Sequence, residues 1–161
     1  MTPAALNTTT GRAVILGLGL TGRAVARHLA ADGWTLVVVE DTPGEGAARD
    51  VAAWGATLGT EADVEGADLV VPSPGVPPDH PALLRAGAAG VRVVSEVELA
   101  WQAAGAKQLL AVTGTNGKTT VTTLVAAMLV RSGRSAVAAG NIGLPLIDAV
   151  REDVEVVVAE V

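Results

Sequence analysis

The stretch TGTNGKTT, residues 113–120, determines how the second half of the chain is expected to fold. It follows the short apolar run QLLAV and precedes VTTLVAAMLVRS, a segment compatible with a long helix. Glycines in such a loop let backbone N–H groups curl around phosphate oxygens, and the N-terminus of the following helix adds its positive dipole end. The pattern therefore predicts a strand, a phosphate-binding loop and a helix in succession.

Within this loop, a lysine and a hydroxyl residue stand next to each other. In this pattern the lysine places a cation against the β- and γ-phosphates, and the hydroxyl after it ligates Mg²⁺. Lys118 stands out at this position, because the only other lysine of the chain is Lys107. The generic pattern expects a glycine where the chain has Val112, so the match to it is incomplete. The candidate phosphate-binding residues are Gly114, Thr115, Asn116, Gly117, Lys118, Thr119 and Thr120.

A carboxylate ends the last apolar run of the sequence, where Glu160 follows VVVA. Mg²⁺ prefers oxygen ligands, and a second ligand beside the threonine of a phosphate loop comes from an acid at a neighbouring strand end. The alternative is an acid that only faces solvent where its strand stops. Beside the phosphate loop the first interpretation is favoured, so Thr119 and Glu160 form the predicted magnesium site.

A second glycine loop, GLGLTG at residues 17–22, also lies between a strand pattern and a helix pattern. This is the fingerprint of a dinucleotide-binding turn, and Glu40 and Asp41 stand about 20 residues later, where an acid that binds ribose is expected. The residues alone therefore favour NAD(P). Any phosphate-bearing nucleotide can use such a turn, and tight strand–helix packing can also require it, so the motif leaves the ligand open.

Short runs rich in β-branched residues alternate with Ala-rich segments along the chain. This rhythm is typical of βα units and parallel sheets, so the predicted fold class is α/β. We expect a Rossmann-like domain over residues 1–95, followed by the first part of a P-loop ATPase domain over residues 96–161. The final strand pattern, residues 155–160, has nothing after it to cover it, so we expect a piece of a longer protein.

Composition narrows the function classes. Half of the residues are hydrophobic, but the chain has three Trp, no Phe and no Tyr, so aliphatic side chains must form the core. The formal net charge of −6 argues against a general nucleic-acid binder, and the lack of cysteine excludes disulfides and thiolate metal sites. The first ten residues do not resemble a secretion signal, and no apolar run is long enough to span a bilayer. We expect a cytoplasmic protein without nucleic-acid or membrane partners.

The remaining signals are weaker. The loops SPGVPP at residues 73–78 and GNIGLP at residues 140–145 each follow a strand pattern. Either could bind a ligand, although the residues alone slightly favour plain connectors. His28 and His80 have no companions at metal-ligand spacing, so we expect both to be surface or helix-capping residues.

Taken together, five motifs resemble the MurD family, the UDP-N-acetylmuramoyl-L-alanine:D-glutamate ligases of bacterial peptidoglycan synthesis. TGTNGKTT is shared by Mur ligases and folylpolyglutamate synthases, whereas the pair GLGLTG and GNIGLP is more specific to MurD. The motifs follow the family's order across nearly the whole chain: LGLTG at 18–22, DTP at 41–43, SPGV at 73–76, TGTNGKTT at 113–120 and GNIGLP at 140–145.

The resemblance changes the ligand expected at the first glycine loop. In that family the N-terminal domain holds the UDP part of the substrate and no dinucleotide cofactor. Leu20, Thr21 and Gly75 match positions that contact the phosphates of this substrate. Asp41 and Thr42 match the contacts with uracil.

The resemblance also assigns residues outside that loop. Asn141 matches a residue that contacts the same substrate from the ATPase domain, and Lys118 and Thr119 match the ATP and Mg²⁺ loop. Glu160 matches a magnesium ligand of the family. One position departs from the pattern: Pro43 stands where an arginine is familiar, so that side chain is missing from the edge of the uracil site.

The resemblance implies ATP-dependent amide formation by a monomer, with ATP and Mg²⁺ and with UDP-N-acetylmuramoyl-L-alanine and D-glutamate as partners. The family's later metal-binding histidine, carbamylated lysine and D-glutamate-binding third domain have no counterpart here, so we expect this chain alone not to ligate. Three alternatives stay open: a Mur ligase with another amino-acid specificity, an NAD(P)-binding Rossmann oxidoreductase, and a non-catalytic nucleotide-binding module. The oxidoreductase leaves the pair Lys118 and Thr119 unexplained.

Overall fold

The computed structural model describes residues 10–161, and its internal contacts divide the chain into two compact units. The first unit ends at Glu96 and the second begins at Val97. The expectation that the chain has no secretion signal concerns residues 1–10, of which residues 1–9 lie outside the described part. Among residues 10–161, no helix combines the length and the apolar character that crossing a bilayer requires.

Within the described residues of the first unit, five parallel strands form a sheet in the order β3–β2–β1–β4–β5. The chain moves outward from β1 to β3 and returns on the other side of β1, so a topological switch point lies between β1 and β4. The strands are β1 Arg12–Leu16, β2 Thr35–Val39, β3 Thr57–Gly59, β4 Leu69–Pro72 and β5 Arg92–Val93. The helices are α1 Leu20–Ala31, α2 Ala47–Ala52 and α3 Pro81–Ala89, with a 3-10 turn at Glu61–Val64.

Aliphatic side chains build the core of the first unit, as the composition requires. The four residues after Arg12 in β1 are all buried, which is expected of a central parallel strand covered on both faces. One cluster of this core joins strand residues to the inner face of α3. It consists of Val14, Leu16, Val37, Val39, Val64, Val70, Ala82 and Ala86.

In the second unit, whose residues are all described, three parallel strands form a sheet in the order β6–β8–β7. The central strand β8 is buried along its length, and its Val156 and Val158 pack against Ala126 of α5. The strands are β6 Gln108–Val112, β7 Ala136–Gly140 and β8 Val156–Glu160. The helices are α4 Glu96–Ala103, whose first residue is the last of the first unit, α5 Lys118–Arg131 and α6 Leu146–Ala149. The predicted α/β class with parallel sheets is confirmed.

Asp63 ties the 3-10 turn to the start of β1. Its carboxylate accepts a hydrogen bond from the Thr60 backbone N–H at 2.9 Å and one from the Arg12 guanidinium at 2.6 Å. The bond from Thr60 lowers the pKa of Asp63 below its ordinary value of 3.8; partial burial opposes this shift, and Arg12 adds to it. The ionised form is therefore favoured in the folded chain.

We expect Asp63→Asn to lower the free energy of unfolding of the first unit by about 1 kcal/mol at neutral pH, because a charge-assisted cap is lost. The pKa of Asp63 is lower in the folded chain than in the unfolded chain. This stabilisation is therefore present above about pH 4 and is lost as the pH falls through the folded-state pKa. Urea unfolding at neutral pH and below about pH 3 measures the difference. Glu45→Gln, which removes an exposed charge from the same unit, is the control. Equal losses in the two variants would contradict the expectation.

Candidate nucleotide and substrate sites

The ends of three neighbouring strands lie level in the second unit. Val112 of β6 and Gly140 of β7 both stand opposite Glu160 of β8 in the parallel register. The loops after β6 and β7 therefore leave the sheet beside Glu160, at the same carboxyl edge. In open α/β sheets, ligands bind outside the carboxyl ends of the strands. The register thus brings together groups that are far apart in the sequence.

The loop after β6 has a backbone suited to phosphate binding. Gly114 and Gly117 have φ angles of 154° and 77°, which side chains rarely allow. Gly117 precedes α5, and the Val121 N–H donates to its carbonyl at 2.9 Å as the helix begins. The Lys118 ammonium donates to the Gly114 carbonyl at 3.0 Å, so it lies across the loop. A cation and the unpaired first N–H groups of a helix therefore face the same edge.

Two oxygen atoms meet at the predicted magnesium site. Thr119 Oγ1 donates to Glu160 Oε2 at 2.7 Å, although the residues are 41 positions apart. Glu160 is only 7% exposed, so it does not simply face solvent at its strand end. Adjacent oxygen ligands of octahedral Mg²⁺ lie about 3 Å apart, and Mg²⁺ usually combines one or two protein ligands with waters and phosphate oxygens. This donor pair fits that chemistry. Residues 10–161 contain no cluster of three or more His, Cys, Asp or Glu that could hold a metal.

The loop after β7 is tied to the same acidic residue. The Asn141 N–H donates to the Glu160 carbonyl at 3.1 Å, and the Gly140 N–H donates to the Leu144 carbonyl at 2.8 Å. A Cβ on Gly140 would stand 2.3 Å from the Glu160 carbonyl oxygen, so a side chain there would force the two strands apart. Asn141 itself is exposed. Backbone contacts thus hold a predicted substrate residue next to a predicted metal ligand.

The first unit is organised in the same way at its carboxyl edge. Leu16 of β1 is level with Val39 of β2 and Pro72 of β4. The loops after these strands leave the sheet beside the switch point between β1 and β4, which is where ligands bind in doubly wound sheets. The predicted substrate residues that follow these strand ends are Leu20, Thr21, Asp41, Thr42 and Gly75.

The glycine loop after β1 has a tightly packed part and an open part. A Cβ on Gly22 would stand 2.0 Å from the Gly17 carbonyl oxygen and 3.0 Å from Ser73 Oγ. Ser73 Oγ in turn donates to the Gly17 carbonyl at 3.4 Å. By contrast, Gly75 has open space where a side chain would be, and Leu20 is 60% exposed. The loop is therefore closely packed where Gly22 meets Gly17, and it is open to a ligand at Leu20 and Gly75.

Glu40 is engaged by the glycine loop. Its Oε2 accepts from the Leu18 N–H at 2.6 Å, and its Oε1 accepts from the Thr42 N–H at 3.4 Å. Arg23 holds the other side of Leu18, because its Nε donates to the Leu18 carbonyl at 3.0 Å while Nη1 pairs with Asp50 at 2.5 Å. The acid that a dinucleotide fingerprint assigns to ribose is thus bound to the protein backbone, which weakens the NAD(P) interpretation.

His80 connects Asp41 to helix α3. Its Nδ1 accepts from the Ala82 N–H at 3.2 Å, which confirms the capping role, and its Nε2 lies 3.2 and 3.3 Å from the two carboxylate oxygens of Asp41. This second contact was missed, because its partners stand 39 positions apart and no motif joins them. The expectation for His28 is wrong: it is buried on α1, on the helix face shared with Ala24 and Val25.

An open depression of about 820 Å³ lies at the opposite edge of the first unit's sheet, before β4 and after α3. Charged side chains line part of it, and two of them, Arg85 and Glu65, pair at 2.9 Å. None of the predicted site residues lines it. The predicted site residues therefore lie at the carboxyl edges of the sheets and not in this depression.

Comparison with models of protein families gives two matches. Residues 11–95 match the Mur ligase MurD-like N-terminal domain, and residues 112–161 match the Mur ligase middle domain. The first match alone covers more than half of the chain. This chain belongs to the MurD-like Mur ligase family. The resemblance stated from the motifs is confirmed, and the oxidoreductase alternative is not retained.

Three curated relatives of this Mur ligase chain carry the name UDP-N-acetylmuramoylalanine--D-glutamate ligase. The protein of that name from Frankia casuarinae is 48% identical over 143 residues, which are 85% of this chain and 30% of the relative. Those from Thermobifida fusca and Trichlorobacter lovleyi are 48% and 46% identical over 88% and 94% of this chain, and over 32% and 36% of their own lengths. The chain therefore spans about a third of the length of these relatives.

Solved structures of Mur-type ligases share the fold. UDP-N-acetylmuramate:L-alanyl-gamma-D-glutamyl-meso-diaminopimelate ligase from Neisseria meningitides has a TM-score of 0.57 at 18% identity, over 94% of this chain and 52% of that one. A murein peptide ligase from Psychrobacter arcticus has a TM-score of 0.56 at 22% identity, over 92% of this chain and 37% of that one. At these identities the likeness shows the fold alone, and it agrees with the predicted Rossmann-like and P-loop arrangement.

Proposed function

We propose that this chain is the front portion of an ATP-dependent ligase that adds D-glutamate to UDP-N-acetylmuramoyl-L-alanine in peptidoglycan synthesis. The observation that carries the proposal is the meeting of Thr119 and Glu160 beside the Lys118 loop, a donor set suited to a magnesium nucleoside triphosphate. The name of the curated relatives supplies the reaction. We assign the activity to the whole protein, acting as a monomer in the cytoplasm, where ATP is available.

ATP would occupy the loop at residues 114–120. Backbone N–H groups of the loop and of the α5 N-terminus would bind phosphate oxygens, and the Lys118 ammonium would exchange the Gly114 carbonyl for the β- and γ-phosphates. Thr119 and Glu160 would hold Mg²⁺, which neutralises triphosphate charge when bound. Lys118 is the proposed catalytic residue, because its charge stabilises the negative charge that moves onto the leaving ADP.

The proposed reaction forms an amide in two transfers. The substrate carboxylate attacks the γ-phosphorus, the bond from that phosphorus to the bridging oxygen breaks, and ADP leaves with an acyl phosphate formed. The amine of D-glutamate then attacks the acyl carbon, loses a proton and displaces inorganic phosphate. In this scheme the groups of the chain supply alignment and charge neutralisation.

The UDP part of the substrate would occupy the carboxyl edge of the first unit. The exposure of Leu20 and Asp41 and the open space at Gly75 support this assignment. Pro43 offers no hydrogen-bond donor, so the proposed uracil contacts come from the two residues before it, Asp41 and Thr42. The proposed phosphate contacts are Leu20, Thr21 and Gly75, the proposed uracil contacts are Asp41 and Thr42, and Asn141 is the proposed substrate residue of the second unit.

Binding titrations test these assignments. We expect the chain to bind UDP, UDP-N-acetylmuramoyl-L-alanine and magnesium ATP, and not to bind NADH. NADH binding that UDP does not displace would overturn the assignment of the first glycine loop. Amide synthesis in the whole protein, compared across amino acids, tests D-glutamate against the other Mur specificities. We expect the isolated chain to form no amide, because it spans only about a third of the length of its curated relatives; product formation by it would contradict this.

Thr119→Val is expected to remove the gain in ATP affinity that Mg²⁺ provides, which we put at about tenfold. Valine has nearly the same shape as threonine but lacks the oxygen that meets Glu160. Titrations of ATP with Mg²⁺ and with a chelator measure the gain. Thr123→Val, an exposed position of the same helix, is the matched control. A magnesium effect that survives in Thr119→Val would remove this threonine from the metal site.

A further inference from the structure

We propose that His80 is a positioning residue that orients the Asp41 carboxylate for recognition of the uracil base. The inference rests on the proposed function, in which Asp41 contacts uracil. It gives His80 a role beyond capping α3, the only role that the sequence indicates. The two residues face each other within the first unit, so nothing in the second unit is required for this role.

Both ring nitrogens of His80 are engaged. Because the Ala82 N–H donates to Nδ1 at 3.2 Å, Nδ1 carries the lone pair, and the proton of the neutral ring sits on Nε2. Nε2 lies 3.2 and 3.3 Å from the two oxygens of Asp41. One N–H shared almost equally between two oxygens restrains both the direction and the plane of the carboxylate.

The two partners differ in how firmly they are held. The His80 side chain is 11% exposed and sits at the start of α3, whose Ala82 and Ala86 are buried in the core. The Asp41 side chain is 73% exposed and lies in the loop after β2. An unrestrained aspartate on such a loop loses rotamer freedom when a ligand binds. His80 removes that freedom beforehand and leaves the outward-facing lone pairs of Asp41 available.

A carboxylate held in place discriminates between pyrimidines. Uracil presents an N3–H, from which a carboxylate accepts, whereas cytosine has no proton on N3 and carries its donor on the exocyclic N4 amino group. A carboxylate held against position 3 therefore gains a hydrogen bond from uracil and gains none there from cytosine. The benefit of a fixed Asp41 is therefore specific to uridine nucleotides. A loss of positioning should weaken UDP binding and leave CDP binding as it was.

Two substitutions separate positioning from capping. His80→Asn keeps an acceptor near the place of Nδ1, and asparagine is a favoured N-cap, but its side chain is too short to reach Asp41. His80→Gln places an amide N–H near the position of Nε2 and lacks the cap. We expect His80→Asn to melt like the wild type and to bind UDP about tenfold more weakly, with unchanged CDP affinity. We expect His80→Gln to melt at a lower temperature and to retain its preference for UDP.

Asp41→Asn and the double variant with His80→Asn complete a thermodynamic cycle measured by calorimetric titration of UDP and CDP. Once Asp41 is replaced, His80→Asn should have no further effect on UDP affinity. If His80→Asn binds UDP as tightly as the wild type, or loses UDP and CDP affinity in the same ratio, the positioning role is wrong and the proposed function stands. If the wild type shows no preference for UDP over CDP, the proposed uracil site fails, and the inference fails with it.

Discussion

Replacing Lys118 by alanine is expected to weaken ATP binding about 100-fold and to leave adenosine binding unchanged. The Lys118 ammonium is the single cation of the loop and lies across it, 3.0 Å from the Gly114 carbonyl. Hydrogen bonds from a charged donor contribute about 1.5–3 kcal/mol each, and about 1.4 kcal/mol corresponds to a factor of ten. A chain with a net charge of −6 offers no general attraction that could replace them. Calorimetric titration of ATP and adenosine measures both affinities.

Lys107→Ala is the matched control, because it removes the only other lysine. Lys107 precedes β6, at the far end of that strand from the phosphate loop. We expect this variant to bind ATP like the wild type. Equal weakening in the two variants would show that net charge and not position governs binding, and full affinity in Lys118→Ala would take the loop out of the proposed site.

Gly22→Ala is expected to lower the free energy of unfolding of the first unit by about 3 kcal/mol and to abolish UDP binding. The added methyl would stand 2.0 Å from the Gly17 carbonyl oxygen, so the turn between β1 and α1 must open. A loss of about 3 kcal/mol corresponds to a melting temperature lower by more than about 10 °C for a unit of this size. Calorimetric melting together with UDP titration measures both effects.

Gly19→Ala is the control for that substitution within the same loop. Gly19 has an ordinary φ of −70°, and a Cβ built there meets nothing within 4 Å. We expect it to change the free energy of unfolding by less than about 1 kcal/mol, the scale of an N-cap change. If Gly19→Ala and Gly22→Ala lower the free energy of unfolding equally, the contact with the Gly17 carbonyl oxygen is not the cause.

The grouping of residues at the strand ends could be predicted from the sequence, because parallel strands all point their carboxyl ends to one edge. That is why Thr119 and Glu160 were expected together, and the register places them together. Asn141, expected only as a substrate contact, also lies beside Glu160. The nature of the first ligand could not be obtained in this way. GLGLTG followed by Glu40 favoured NAD(P) on spacing alone, whereas the motifs as a set indicated a UDP substrate. The binding roles of these residues stay predictions.

The contacts of Glu40 and Asp41 could not be predicted, unlike the contact between Thr119 and Glu160. The bonds from Leu18 to Glu40 and from His80 to Asp41 depend on how two loops meet, which no local pattern encodes. The expectation for His28 failed for a different reason. It stands three residues after Val25, on the buried face of α1, so helical periodicity applied to that segment would have placed it inside.

Because β6, β7 and β8 of the second unit end level with one another, the length of β8 is fixed. Side chains alternate between the two faces of a strand, so one residue inserted into or deleted from β8 would turn Glu160 away from Thr119. The turn at residues 132–135, at the other edge of the sheet, carries none of the proposed ligands. Natural length variation among relatives, and engineered fusions or affinity tags, should therefore be tolerated at that turn and excluded from β8.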